Sequence, residues 1–327
     1  MVIFFRDKSV SAIIFLIILA VLVHIHFFFS VPQVVVGNED GVLSLILKQY
    51  FTSIDGTFIF IIYILLLLLQ AIRLNLILNE AKMFHQSGYT TAMAYILLSA
   101  FVQQWCALTP AMIANALVIW IFIKLSKLYN HQSPKTLLFN TGLLVGLTII
   151  CYHPTAILIL VVLFALAVVR PFRLAEWLVL IIGIIAPYYF LLSYLFLTNH
   201  WNLVTQFLPI INFNLPVQHP DIWVAVNFGL ILILLLLGIF MWMPANNRMI
   251  IQIRKTWGVM MVMLLIVLII PFAFKAAGIE SAFLWTVPLA AFISNFFSIP
   301  KKLWFPNFFF WLAIALIIHN NWLLMKI

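Results

Sequence analysis

TFIFIIYILLLLLQAIRLNLIL, residues 57–78, decides the class of this chain: 22 residues carry one charge, Arg73, close to the far end. At about 1.5 Å of rise per residue such a helix reaches roughly 33 Å, the thickness of a bilayer's hydrocarbon core. Outward from it the composition repeats the message. Of 327 residues, 66% are hydrophobic and 8% charged, and the mean hydropathy is +1.21. The 17 basic and 8 acidic residues are too few to solvate the surface of a 37.6 kDa soluble globule. The chain reads as one integral membrane domain over 1–327, with no soluble domain to place.

Runs of adequate length predict eleven spans, near 11–29, 57–78, 92–108, 111–126, 136–152, 154–169, 174–197, 222–243, 257–274, 280–298 and 306–325. Two of the cuts are tight hairpins set by Pro110 and by His153-Pro154, since proline interrupts a helix and disfavours helical geometry in the residue before it. The opening MVIFFRDKSV resembles the charged start of a signal peptide. The apolar run after it is too long for one and has no A-x-A-like exit, so it is expected to stay as the first span.

Basic residues test the count independently, because cytoplasmic loops collect Lys and Arg. With the N-terminus inside, 14 of the 17 fall on the cytoplasmic side, leaving Lys48, Lys275 and Lys326 outside. The expected location is a bacterial inner membrane, with a cytoplasmic N-terminus and a periplasmic C-terminus. Trp177, Trp223, Trp242, Trp257 and Trp304 fall at predicted helix ends, where indole rings favour the interface. The net charge of +9 is scattered between apolar runs, without a basic patch or an RNA-binding motif, which excludes a nucleic-acid partner. Cys106 and Cys151 form no C-x-x-C motif and read as small buried residues. No internal repeat is visible, and no ionisable residue lies clearly at mid-membrane, both of which argue against ion-coupled transport.

Polar chemistry then concentrates outside. Glu39, Asp40, Asp55, Asp221 and Glu280 fall on the external face, against Asp7, Glu80 and Glu176 inside. The first external loop, 30–55, is 26 residues long, more than a connection requires. In it Asn38, Glu39 and Asp40 make a plausible helix N-terminus, and 41–52 reads as an interfacial helix. Val42, Leu43, Leu45, Ile46 and Phe51 are expected to face lipid or neighbouring helices, with Ser44, Lys48 and Thr52 on the other side. The second long external segment, 198–221, lacks Lys and Arg but carries Asn199, His200, Gln206, Asn212, Asn214, Gln218 and His219. These are donors and acceptors suited to hydroxyl-rich ligands, beside the flat faces of Trp201 and Phe207, and the segment is a candidate roof over the first loop. The buried carboxamides Gln103, Gln104, Asn115, Asn140, Asn227 and Asn295 are expected to join helix to helix.

Two resemblances follow. Through LLFNTGLLVGLTIICYHPT (137–155) and RPFRLAEWLVLIIGIIAPYYFLLSYLF (170–196), the chain resembles a family of multi-pass inner-membrane proteins of Bacteroidota, which carries a location but no established activity. The overall plan, with NEDGVLSLILKQY after the first span, is similar to the GT-C superfamily of polytopic glycosyltransferases. That likeness implies an all-α bundle and a sugar donor on a polyprenyl phosphate or diphosphate. It also implies an acidic residue of the first external loop acting on the acceptor. Carried onto this chain, it points to Asp40, with Glu39 beside it, as the catalytic pair. Lys48 and Lys275 would then offset the lipid phosphate, and His200, His219 and Asp221 would contact substrate. No cofactor and no metal are implied. Alternative readings are a non-catalytic partner or scaffold of an envelope complex, contacting membrane lipids and another membrane protein, and a lipid or solute transporter.

Overall fold

The computed structural model describes residues 1–37, 41–129, 131–211, 213, 222–274 and 278–323. Among them the chain is all-helical, with one isolated backbone bridge, Val34 to Leu108, and no strand. A short α1 (Ile3–Arg6) leads into α2 (Val10–Val23), capped by the Ser9 hydroxyl, which accepts from the Ala12 N–H at 3.3 Å. The long loop after α2 holds α3 (Val42–Ile46). There follow α4 (Gly56–Glu80), α5 (Thr90–Ser99), α6 (Pro110–Ser126), α7 (Pro134–Cys151), α8 (Leu158–Val169) and α9 (Leu174–Leu197). The last third holds α10 (Ile222–Asn246), α11 (Ile251–Val267), α12 (Ile270–Ala273), α13 (Thr286–Ser298) and α14 (Trp304–Leu323).

Among the described residues six stretches are long and apolar enough to cross a membrane: Gly56–Glu80, Pro134–Cys151, Leu174–Leu197, Ile222–Asn246, Ile251–Ala273 and Ile279–Ser298. Five apolar helices of the described residues are shorter, among them Val10–Val23 and Thr90–Ser99. Proline sets the start of α6: Pro110 occupies its first turn, where a missing N–H costs nothing, and the Thr109 hydroxyl accepts from Met112 N–H at 3.2 Å.

Turns between successive helical segments fall alternately at two ends. At one end Tyr89 N–H bonds the Phe5 carbonyl at 2.6 Å, Arg6 bonds Phe297 O at 2.8 Å, and Lys255 bonds Val169 O at 2.7 Å. Trp257 bonds Met83 O at 3.2 Å there as well. At the other end Val35 N–H bonds Leu108 O at 3.3 Å, Trp105 bonds Ile279 O at 3.1 Å, and Asn320 bonds Phe101 O at 3.3 Å. The first end gathers Arg6, Lys82, Lys127, Arg170, Arg173, Arg254, Lys255, Lys301 and Lys302, and is called the basic end.

The centre is built from α5 and α13, buried nearly throughout, and from α6, which keeps Trp120 exposed on its outer side. In lipid the usual hydrophobic drive between helices is missing, so close packing and hydrogen bonds must supply cohesion. Both are present. Gly142 and Gly146, four residues apart on α7, and Gly183 on α9 bring two backbones together, and a Cβ on any of them would meet backbone of the facing helix. Pro187, inside α9, sits opposite Gly146. Hydrogen bonding does the rest: Tyr95 donates to Gln70 at 2.6 Å, and Asn115 donates to the Tyr95 and Thr286 oxygens at 2.8 Å each. That chain ties α4, α5, α6 and α13 together. At the basic end Arg170 makes a two-bond ion pair with buried Glu176, at 2.9 and 3.2 Å, and also bonds Leu128 O at 3.3 Å.

Two expectations need correction in detail. Trp257 is fully buried and Trp242 nearly so, their rings tilted to each other at 5.6 Å and both against Phe292, so they are core residues and not interfacial anchors. Trp304, 72% exposed, keeps the expected character. Cys106 is buried but Cys151 only partly so.

Candidate functional site

The loop between α2 and α4, expected from sequence to be external, is fastened on both sides of residues 38–40. Before them, Gln33 and Val35 exchange backbone bonds with Leu108 at 3.0 and 3.3 Å. After them, Gly41 adopts φ +103, and a Cβ there would come 2.7 Å from Ile150 O and 2.8 Å from Cys151 O, the last carbonyls of α7. Only glycine meets both demands, a left-handed backbone and direct contact with another helix end.

From Gly41 the chain runs through α3 and a wider π-helical turn, Leu47–Phe51. The segment is helical where the apolar periodicity predicts it, but its faces divide differently. Leu45 and Ile46 are exposed, as a lipid-facing side would be, but the polar stripe is split: Ser44 is buried together with Leu47, while Lys48 and Thr52 are exposed. The reason lies in the turn: bonding five residues apart rotates Lys48 away from Ser44, which a regular helix would stack one above the other. Ser44 therefore faces protein, and its hydroxyl finds no partner among the described residues.

Of the residues singled out by sequence, Lys48 and His200 are described; Glu39, Asp40, Lys275, His219 and Asp221 lie outside the described residues. Lys48 is exposed on the π turn, its carbonyl accepting from Thr52 at 2.9 Å. His200, also exposed, precedes a 3-10 run, Trp201–Phe207, that packs on the end of α9, with Trp201 edge-on to Phe196 at 6.1 Å. The backbone enters this run through Asn199 at φ +57. No hydrogen bond or ion pair joins Lys48 to His200. Among the described residues no group of three His, Cys, Asp or Glu is placed to hold a metal ion.

Sequence reading passed over a polar cluster beneath this loop. His24 and His26, an H-x-H pair inside an apolar run, are both buried. His24 Nδ1 lies 3.0 Å from Ala20 O, and its Nε2 3.1 Å from the Tyr63 hydroxyl, which is itself 3.1 Å from Trp105 O. The signal was available, since histidines seldom interrupt an apolar run without a polar role; here the side-chain bonds are those of His24, while the buried His26 Nδ1 finds no partner among the described residues. Glu280, part-buried next to the Ile279 carbonyl that Trp105 bonds, is less exposed than Asp55.

Comparison with protein-family models, curated proteins and solved structures finds no match to this chain. Fold and chemistry define an integral membrane protein of apolar helices.

Proposed function

We propose that this chain crosses a bacterial inner membrane eleven times, basic end in the cytoplasm, and acts as a GT-C-like glycosyltransferase at the opposite face. The alternation of turns between two ends supports the count, and the collection of Lys and Arg at one of them supports the orientation.

One observation carries the catalytic reading. The first external loop returns to the membrane side as a short helix, and Gly41 docks that helix on the last carbonyls of α7. A loop anchored on both flanks suits a catalytic group better than a free one, because positioning supplies much of the rate. The residue bonded to Gly41 is Asp40. In this reading the Asp40 carboxylate, with Glu39 beside it, takes the proton of an acceptor hydroxyl. That oxygen attacks the anomeric carbon, the bond from this carbon to the lipid phosphate breaks, and the phosphate leaves with the electron pair. Lys48 and Lys275 offset its charge, while His200, His219 and Asp221 meet sugar hydroxyls. The donor is a polyprenyl-phosphate-linked sugar.

Substitution of Asp40 tests the reading. Asp40→Asn keeps helix-capping ability and removes the base. Glycan transfer by purified protein should fall by about a hundredfold or more; transfer at the wild-type rate would end the proposal.

A second reading, a membrane-protein partner or scaffold, draws on α9. It packs along α7 and makes little contact with other helices, leaving Tyr189, Phe190 and Tyr194 exposed. Transport has less support, since Gln70, Tyr95, Asn115 and Thr286 bond one another in the core.

A further inference from the structure

A cavity of about 320 Å³ opens at the basic end, opposite the loop discussed above. Three helix ends wall it: Glu80 closes α4, Ser126 ends α6 with Lys127 after it, and Gln252 and Thr256 begin α11, with His131 completing the polar lining. Its size falls at the lower end of small-ligand sites, about 300–1,000 Å³.

Both signs of charge line this space. Each helix C-terminus carries roughly half a negative charge on its unpaired carbonyls, so the ends of α4 and α6, with the Glu80 carboxylate, favour a cation. Lys127, His131 and the first turn of α11 favour an anion; no side chain caps that turn. Lys255, nearby in sequence, is committed elsewhere, to Val169 O at 2.7 Å and the Tyr129 ring at 5.1 Å. The ion pairs among the described residues are Arg170–Glu176 and Arg173–Glu176, so Glu80 and Lys127 share a cavity without pairing. Two opposite charges held apart fit the two poles of a zwitterion. A ligand of single charge would leave one of them facing its own sign.

Depth identifies the class. The walls are the terminal turns of apolar helices, the part of a membrane-spanning helix that meets lipid head groups, and Ile77, Ala81 and Ile123 add apolar surface for a glycerol backbone. We infer that this cavity binds the head group of a zwitterionic phospholipid, a phosphate diester bearing an ammonium group. The ammonium meets Glu80, and the phosphate meets Lys127 and His131. This inference is independent of the transferase reading, which concerns the other face.

Detergent-purified protein, titrated with dihexanoyl phosphatidylethanolamine, dihexanoyl phosphatidylglycerol and O-phosphoethanolamine, tests it by native mass spectrometry. The ethanolamine lipid should bind about tenfold tighter than the glycerol lipid, the worth of one charge-assisted contact. Glu80→Gln should abolish that preference, Lys127→Gln should weaken both lipids, and Lys301→Gln, exposed at the same end outside the cavity, should change neither. Equal binding of the two lipids by wild-type protein would overturn the inference. So would wild-type behaviour of both Glu80→Gln and Lys127→Gln. O-phosphoethanolamine binding as tightly as its lipid would also overturn it, by assigning the cavity to a soluble zwitterion. Should either cavity variant misfold, the lipid selectivity of the wild type decides alone.

Discussion

His24 and Tyr63 meet across 3.1 Å, and the phenolic proton between them has two acceptors to choose from. Ala20 O, 3.0 Å from His24 Nδ1, can only accept, so in the neutral ring the hydrogen sits on Nδ1 and Nε2 offers a lone pair. Trp105 O, 3.1 Å from the same hydroxyl, offers another. Tyr63→Phe leaves both acceptors buried without a donor. It is expected to lower stability by about 1–3 kcal/mol, read as an earlier thermal unfolding transition in detergent. An unchanged transition would mean that the hydroxyl contributes nothing.

Gly41→Ala forces a side chain into a left-handed backbone and onto two carbonyl oxygens. A loss of about 1–3 kcal/mol is expected from the backbone alone, with the steric conflict adding to it. Gly229, whose Cβ would meet nothing within 4 Å, is the control. Gly229→Ala should leave the transition in place or raise it slightly, as helix propensity dictates. Equal effects at the two positions would refute the docking role given to Gly41.

Removing Glu176 strands Arg170, whose side chain is 14% exposed. Glu176→Ala should cost about 3–5 kcal/mol, the usual penalty for an orphaned buried charge. Arg173, 66% exposed and 4.0 Å from the same carboxylate, should be replaceable by Ala within about 0.5 kcal/mol. Comparable losses at Arg173 and Glu176 would contradict this ranking.

Topology is open to labelling in intact cells, with Cys106 and Cys151 first replaced by Ala. Lys48→Cys should react with an impermeant maleimide from outside, whereas Lys127→Cys and Arg170→Cys should react after the membrane is opened. Labelling of either of the last two in sealed cells would reverse or break the proposed orientation.

Helix starts were more legible than helix ends, because apolar runs and proline placement are local signals: Pro110 and Thr109 mark a start without any tertiary knowledge, whereas the runs 11–29 and 92–108 outlast their helices, which end at Val23 and Ser99. Side-chain facing was less legible. The four-residue spacing of Ser44, Lys48 and Thr52 promised one polar stripe, but the π turn at Leu47–Phe51 breaks that register, and nothing in the residues announces it. Trp242 and Trp257 misled for a related reason. Position near a helix end suggests the interface, while burial depends on Phe292, which arrives from a distant part of the chain. The cavity at the basic end was illegible because its walls come from three separated helix termini. For the external site, Lys48 and His200 can be placed, and five of the seven residues named from sequence lie outside the described residues.

The glycine seam between α7 and α9 also imposes an order of events on a ribosome. Cys151 ends α7 and Leu197 ends α9, so 46 residues must still be made before the partner is complete. At about 5–20 residues per second this takes roughly 2–9 s. During that interval α8 is made and threaded while Gly142 and Gly146 wait for their partner, so the seam can close only after Leu197, with α10 to α14 still to follow.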